Sequence, residues 1–234
     1  MSTTLLDDLG ASAATVVVDP GAMTAYSRDH CLVTASGTPV AVVLARSVDE
    51  VAAVVAYAAR HKVPLVTRGA GSGLSGGANA MDGCIVLDLS RMNRILDIDP
   101  VARTASVEPG VINGELDRAA RKHGLRYVPD PGSRAISSVG GNLATNAGGM
   151  CCAKYGVTGD HVMSITAVTG PATSSEPAGR HGRTSWGSTS PGCLSGPKGP
   201  SPSSSKPLSG CTRCPLRQPP WPRRSPTREG PSTP

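Results

Sequence analysis

The residues best suited to binding chemistry lie in a glycine-rich run at residues 67–77, TRGAGSGLSGG, called the first loop below. Five glycines in nine residues allow left-handed backbone dihedrals and close approach of a ligand to the main chain. Successive N–H groups in such turns bind phosphate oxygens. Arg68 adds a positive charge, and Ser72 and Ser75 add hydroxyl donors. The run predicts a phosphate-binding loop, with a flexible surface loop as the alternative.

The first loop also matches a dinucleotide fingerprint, since Gly71, Gly73 and Gly76 follow the GxGxxG spacing. That fingerprint requires the loop to open a helix inside a βαβ unit. Residues 77–83, GANAMDG, are too short and too loop-like for a helix, and the next strand begins at Cys84. We therefore reject the Rossmann interpretation.

A second glycine-rich stretch follows at residues 129–149, PDPGSRAISSVGGNLATNAGG, called the second loop below. It combines glycines with small hydroxyl and amide side chains, which supply hydrogen bonds and leave room for something large and flat. Two such loops about 60 residues apart suit a long ligand with a pyrophosphate in the middle and a ring system at one end. A pair of independent turns is the alternative.

The elements around the first loop read as a βαβ unit. Residues 41–45, AVVLA, predict a strand, and Ser47 with Glu50 three residues later is a capping box that starts a helix. The apolar residues recur at helical spacing until His61 and Lys62, and VPLVTRG is a second strand. We expect these two strands to be parallel, with a right-handed crossover.

Beyond the first loop the pattern changes. Residues 84–89, CIVLDL, predict another strand, while ILDID and TASVEPG alternate like an antiparallel pair. Residues 113–122 predict a short helix closed by Gly124. Residues 161–168, HVMSITAV, predict a strand.

Composition divides the chain near residue 170. Residues 1–170 have a net charge of −1 and are rich in Val, Ala, Leu and Ile. Residues 171–234 carry a net charge of +7, hold 14 of the 21 prolines, and contain no Val, Ile, Met, Phe or Tyr. Such a segment cannot bury enough apolar surface to offset its ordering entropy. We expect a folded head and a disordered Pro/Ser/Arg-rich tail.

The same features exclude several classes of protein. The head lacks the basic footprint of a nucleic-acid-binding domain. No apolar run reaches the roughly 18–20 residues of a transmembrane segment, and the start MSTTLLDDLG is no secretory signal. Seven irregularly spaced cysteines favour a reducing compartment, so the expected location is cytoplasmic. Cys211 and Cys214 have metal-ligand spacing but no second ligand pair, so no metal site is predicted.

The two loops carry a family resemblance. RGAGSGLSGG together with DPGSRAISSVGGNLATNAGGMCCAKYGVTGDHV resembles the FAD-linked oxidases with a PCMH-type (vanillyl-alcohol-oxidase-like) flavin domain, in the branch of the glycolate oxidase subunit and D-lactate dehydrogenase. The resemblance implies an α+β fold of two α+β subdomains, a βαβ unit and a mainly antiparallel sheet, with FAD between them. It divides the chain into an N-terminal segment (1–36), an incomplete FAD-binding domain (37–170) and the tail (171–234).

The resemblance also implies the cofactor site. It places the FAD pyrophosphate on the first loop, completed by Gly76 and Gly77, at Arg68, Gly69, Ala70, Gly71, Ser72, Gly73, Leu74 and Ser75. The resemblance places residues of the second loop along the other side of the FAD site: Pro131, Gly132, Ser133, Ser138, Gly141, Asn142, Thr145, Ala147 and Gly149. The first loop has no histidine for covalent attachment, so FAD is expected to bind non-covalently. No catalytic residue is predicted: Cys151 and Cys152 are interpreted as small packing residues and His161 as part of a strand.

The implied chemistry is hydride removal from the hydroxyl-bearing carbon of a D-2-hydroxy acid to flavin N5, with the cofactor supplying the reactivity. The resemblance implies a C-terminal cap domain that recognises the substrate, and the 234 residues are expected to stop short of it. We therefore expect weak or absent flavin binding and no turnover from the chain as written; the electron acceptor is not indicated. The alternatives are a non-catalytic nucleotide-binding module whose basic tail recruits an acidic partner, and a related flavin reductase.

The tail has a separate explanation in a shifted reading frame. Beginning one base earlier, the codons of SGPKGPSPSSSKP (residues 195–207) permit V-G-S-E-G-T-L-A-V-V-V-E-A, a strand-rich segment typical of this family's continuing flavin domain. The open reading frame is therefore expected to have slipped near residues 170–175, in the gene or in its sequencing.

Overall fold

The structure is a computed structural model that describes residues 15–169 and two short segments, 173–175 and 212–215. Its N-terminal half is a four-stranded sheet with two helices. In chain order the elements are β1 (Thr15–Val17), α1 (Pro20–Met23), β2 (Ala41–Leu44), α2 (Val48–His61), β3 (Leu65–Arg68) and β4 (Ile85–Asp88). The strand order is β1-β2-β4-β3, with β1 antiparallel to β2 and the other three strands parallel.

The predicted βαβ unit is confirmed. The hydroxyl of Ser47 accepts a hydrogen bond from the Glu50 N–H at 3.2 Å, so α2 begins where the capping box indicates. The second bond of a capping box would join the Glu50 carboxylate to the N–H of Ser47. Here that carboxylate accepts instead from the N–H of the preceding residue, Arg46, at 2.8 Å. The helix ends at His61, and Lys62 follows in a left-handed conformation. β2 and β3 are parallel to each other but not adjacent, because β4 lies between them.

Apolar residues cover both faces of this sheet, as expected for parallel strands. One face packs against α2, where Val51 and Val54 contact the same buried cluster as Val43, Ile85 and Leu87. The opposite face forms a second cluster of Met23, Val42, Leu44, Val66, Ala80, Cys84 and Val86. The first loop leaves this sheet at the carboxyl end of β3 and is therefore anchored to a rigid base.

The second half is mainly antiparallel. Its elements are β5 (Ile95–Asp99), β6 (Thr104–Val107), α3 (Asn113–Lys122), α4 (Val139–Ala144), α5 (Cys152–Tyr155), β7 (Ser164–Ile165), β8 (Ala167–Thr169), β9 (Thr173–Ser175) and β10 (Thr212–Pro215). The sheet order is β5-β6-β10-β7, with every neighbouring pair antiparallel, and β8 pairs with β9. Leu116 of α3 packs on Val107 and Tyr127 in a separate core. The predicted fold class, two α+β subdomains, is confirmed.

The prediction of one strand over residues 161–168 is wrong. His161 ends a 3₁₀ turn, Thr158–His161, and two short strands, β7 and β8, follow it. The turn is fixed because the Asp160 carboxylate accepts from the N–H of Val157 at 2.9 Å. The Gly159 N–H also donates to the side chain of Asn146 at 2.8 Å. These side-chain acceptors satisfy the backbone locally and hold His161 out of the sheet.

Two short pieces of the predicted tail, β9 and β10, are strands, and β10 lies between β6 and β7. The rest of the predicted disordered tail lies outside the described residues. Among the helices of the described ranges, none is both long and apolar enough to cross a membrane.

Candidate functional site

The first loop follows β3 without entering a helix. Residues 69–83 contain only turns and bends, so the rejection of the Rossmann fingerprint is confirmed. Gly71 and Gly76 have φ of 68° and 74°, in the left-handed region that favours glycine. Within the described residues, the backbone N–H groups of Gly71, Ser72 and Gly73 donate no hydrogen bond. The loop therefore offers main-chain donors to an anion, as a phosphate-binding turn does.

Arg68 supports the first loop from below. Its guanidinium, only 8% exposed, donates to the carbonyl oxygens of Arg28 at 2.8 Å and Ala25 at 3.5 Å. Its Nε lies 4.0 Å from the Asp88 carboxylate. A Cβ on Gly71 would clash with the guanidinium, and the left-handed φ of this residue also favours glycine. The side chain that the sequence assigns to phosphate is thus occupied within the protein.

The buried charges beneath the loop influence one another. Burial lowers the pKa of Arg68, while the carboxylates of Asp88 and Asp29 oppose this change. Burial also raises the pKa of Asp88, against hydrogen bonds from Ser90 and the charge of Arg68. The loop therefore rests on a partly dehydrated charge cluster, Asp29, Arg68 and Asp88, called the buried charge cluster below.

The second loop contains the short helix α4, which the sequence does not predict. The hydroxyl of Ser138 caps it by accepting from the Gly141 N–H at 3.3 Å. The same hydroxyl accepts from the Ala70 N–H of the first loop at 3.4 Å. A Cβ on Gly69 would lie 2.5 Å from this oxygen, so glycine is needed for the contact. The structure thus brings the two predicted loops together where Gly69 and Ala70 meet Ser138. This junction is called the seam below.

Two buried polar atoms in the second loop have no hydrogen-bond partner among the described residues. They are Nδ2 of Asn142 and Oγ of Ser137, each in a residue only 3% exposed. Buried polar groups are nearly always paired, so these atoms fit a ligand that completes their bonding. Asn142 was predicted from the sequence, whereas Ser137 was missed. No local signal separates Ser137 from its neighbour Ser138.

The remaining predicted residues of the second loop hold its own backbone. The Thr145 hydroxyl donates to the Gly141 carbonyl at 3.1 Å, and the Ala147 carbonyl accepts from the Thr158 hydroxyl at 2.7 Å. The carbonyls of Pro131 and Ser133 accept from backbone N–H groups inside the same stretch, and the Gly149 carbonyl accepts from the N–H of Cys152 just beyond it. Gly132 is exposed. The described contacts across the seam join Gly69 and Ala70 to Ser138 and Gly141, and do not extend to residues 145–149.

Two cysteines and a histidine lie near the second loop. Cys151 and Cys152 are half-buried rather than part of a core cluster. A hydrogen bond with Asp130 raises the pKa of the Cys151 thiol, which opposes formation of a nucleophilic thiolate. Nε2 of the buried His161 lies 2.9 Å from the carbonyl oxygen of Tyr155.

A family model described as an FAD binding domain matches residues 39–174, more than half of the chain. The chain belongs to this FAD-binding-domain family. FAD is therefore its cofactor. The free N–H groups of the first loop and the unpartnered Nδ2 of Asn142 fit this assignment, because the pyrophosphate of FAD is an acceptor of hydrogen bonds.

Curated relatives point to one class of oxidoreductase. The chain is 47% identical to the glycolate oxidase subunit GlcD of Escherichia coli over 131 residues, 56% of this chain and 26% of that protein. It is 41% identical to D-lactate dehydrogenase of Anaerostipes hadrus over 143 residues, 61% and 30% of the two chains. It is 39% identical to D-2-hydroxyglutarate dehydrogenase of Stutzerimonas stutzeri over 155 residues, 66% and 33%. The chain thus spans about a quarter to a third of these relatives.

Solved structures agree on the fold. Alkyldihydroxyacetonephosphate synthase superposes with a TM-score of 0.78 at 22% identity, covering 93% of this chain and 41% of that one. 6-Hydroxy-D-nicotine oxidase from Arthrobacter nicotinovorans superposes with a TM-score of 0.68 at 23% identity, covering 88% and 42%. At these identities the likeness establishes the fold alone.

Proposed function

We propose that this chain is the FAD-binding part of an oxidoreductase that oxidises a D-2-hydroxy acid such as glycolate or D-lactate. The names of the curated relatives support this substrate class. When bound, the flavin supplies a hydride acceptor for the carbon that bears the hydroxyl group. The observation that carries the proposal is the seam, where Ser138 of the second loop meets Ala70 of the first.

Each loop has a distinct task at the seam. The N–H groups of Gly71, Ser72 and Gly73 bind the pyrophosphate oxygens. Their unused donor capacity and the glycine-rich composition of the loop support this role. Asn142 adds a buried side-chain donor from the second loop. Arg68 holds the first loop in position through its hydrogen bonds to the carbonyls of Arg28 and Ala25. The protein thus orients the cofactor with main-chain and amide donors.

FAD titration of the purified 234-residue chain tests the proposal. We expect weak, saturable quenching of flavin fluorescence. Acid precipitation should leave the flavin in the supernatant, because the first loop offers no histidine for a covalent bond. No flavin reduction by glycolate or D-lactate is expected from these residues alone. Absence of FAD binding by a full-frame version of the chain would refute the proposal, and flavin that co-precipitates would refute the non-covalent mode.

Turnover must be tested on a protein translated in the correct reading frame. We propose that genomic DNA across codons 165–180 contains a one-base slip, after which the adjacent frame encodes V-G-S-E-G-T-L-A-V-V-V-E-A in place of residues 195–207. The frame-restored protein should oxidise a D-2-hydroxy acid and reduce its flavin. An uninterrupted frame identical to the present tail would refute the slip.

A second candidate function rests on the net charge of +7 in residues 171–234. A non-catalytic nucleotide-binding module could use this segment to recruit an acidic partner. Replacing Arg217, Arg223, Arg224 and Arg228 by Gln lowers the net charge of the segment from +7 to +3 and leaves the residues of β10 unchanged. If the segment is an interaction arm, salt-sensitive binding to a polyglutamate column weakens in this variant. The slip hypothesis instead expects FAD affinity and the unfolding free energy to stay the same.

A further inference from the structure

Asp29 is a buried acidic residue that lies beside the first loop, about 40 positions earlier in the sequence. Its backbone N–H donates to the side chain of Asn79 at 2.8 Å, and its Oδ1 accepts from the N–H of Cys31 at 2.8 Å. The next residue, His30, donates its N–H to the carbonyl of Gly73 at 3.0 Å. Asp29 is therefore fixed through its backbone and through one carboxylate oxygen, and its neighbour His30 joins this segment to the loop.

The second carboxylate oxygen, Oδ2, has no hydrogen-bond partner in the described part of the chain. It lies 3.2 Å from the position that a Cβ on Gly73 would occupy, directly against the first loop. The positive charge of Arg68 is near enough to interact electrostatically, but no ion pair joins the two within the described ranges. An oxygen this well buried is rarely left unpaired.

The chemistry of this oxygen restricts its partner. An ionised carboxylate only accepts hydrogen bonds, and it repels the phosphate oxygens that the neighbouring N–H groups attract. FAD carries hydroxyl donors on both sides of its pyrophosphate, on the ribityl chain and on the ribose. We propose that Oδ2 of Asp29 accepts a hydrogen bond from one of these hydroxyl groups and so fixes the position of the cofactor along the loop. This inference rests on the proposed function.

The variant Asp29→Asn tests the inference in the full 234-residue chain. Asparagine keeps an oxygen for the Cys31 N–H and replaces Oδ2 by a donor of the same shape. We expect FAD to bind about tenfold more weakly, as measured by quenching of flavin fluorescence. The melting temperature without FAD should not fall. Asp99→Asn is the matched control, because Asp99 also caps backbone N–H groups, those of Val101 and Ala102, on the other sheet.

The sign of the effect separates two roles for Asp29. If Asp29 were merely a negative charge near the pyrophosphate, Asp29→Asn would bind FAD more tightly, because repulsion would be removed. Unchanged or tighter binding by this variant overturns the inference and leaves the proposed function intact. A full-frame wild type that does not bind FAD overturns both.

Two smaller probes identify the hydroxyl group. FMN carries the ribityl hydroxyls and ADP carries the ribose hydroxyls. A loss of affinity in Asp29→Asn for FMN but not for ADP assigns the contact to the ribityl chain, and the reverse assigns it to the ribose. Equal affinity of wild type and variant for FAD, FMN and ADP alike overturns the inference.

Discussion

The two loops that meet at the seam are held in place by different kinds of interaction. The first loop rests on the buried charge cluster, in which Arg68 donates to two carbonyls and lies near Asp88. The second loop is held by main-chain bonds, such as those from Val139 and Gly140 to the carbonyls of Val111 and Pro109, both 2.8 Å. The first loop should therefore respond to single charge changes and to pH, and the second to loss of its helix cap.

The largest expected effect comes from breaking the buried charge cluster. Arg68→Ala removes the buried cation that lies 4.0 Å from the Asp88 carboxylate, together with two hydrogen bonds. We expect the free energy of unfolding in urea to fall by roughly 3 kcal/mol, since removing one partner of a buried pair is costly. Arg60→Ala, at an exposed position of α2, is the control and should change it by less than about 0.5 kcal/mol. Equal unfolding curves for the two variants would mean that the cluster does not support the loop.

A smaller effect is expected at the cap of the second loop. Ser138→Ala removes the hydroxyl that caps α4 and contacts Ala70, and should lower the unfolding free energy by about 1 kcal/mol. Ser47→Ala removes the equivalent cap of α2 at a similar cost. Only Ser138→Ala should weaken FAD binding in a fluorescence titration, because only Ser138 lies at the seam. Equal FAD affinity in both variants would contradict the role of the seam.

The smallest expected effect is a pH dependence that arises from Asp88, beneath the first loop. Because burial raises the pKa of Asp88 above its ordinary 3.8, the folded state binds this proton more tightly than the unfolded state. The contribution of Asp88 to stability therefore decreases as pH rises from 3.8 to the raised value. Asp88→Asn should remove this negative slope from urea unfolding measured across that range, whereas the surface variant Asp97→Asn should retain it. Parallel pH profiles for the two variants would contradict the assignment.

Most of the fold could be predicted because local signals agree with tertiary structure. The capping box at Ser47, the helical spacing through α2 and the alternation in β5 and β6 each indicate the element that forms. The prediction of one strand over residues 161–168 failed for a physical reason. Side chains of Asn146 and Asp160 satisfy backbone N–H groups there, and such contacts leave no periodic trace in the sequence.

The site could be predicted only at the level of its loops. Glycine spacing locates the main-chain donors, but it cannot show that Arg68 turns inward, because its acceptors lie about 40 residues earlier in the chain. Asp29 was missed for the same reason. Its contact with Gly73 joins segments that no local pattern connects. Long-range polar contacts are therefore the part of this site that needs a structure.

The hydroxyl of Ser138 has one further property. Its oxygen already receives two N–H groups, from Ala70 and Gly141, yet in the described residues its own hydrogen serves no acceptor. An oxygen that accepts twice becomes a stronger donor, because hydrogen bonds in a chain polarise one another. A threonine there could retain that proton, whereas alanine could not. The junction of the two subdomains thus carries a polarised O–H group that can donate a hydrogen bond to a negatively charged atom.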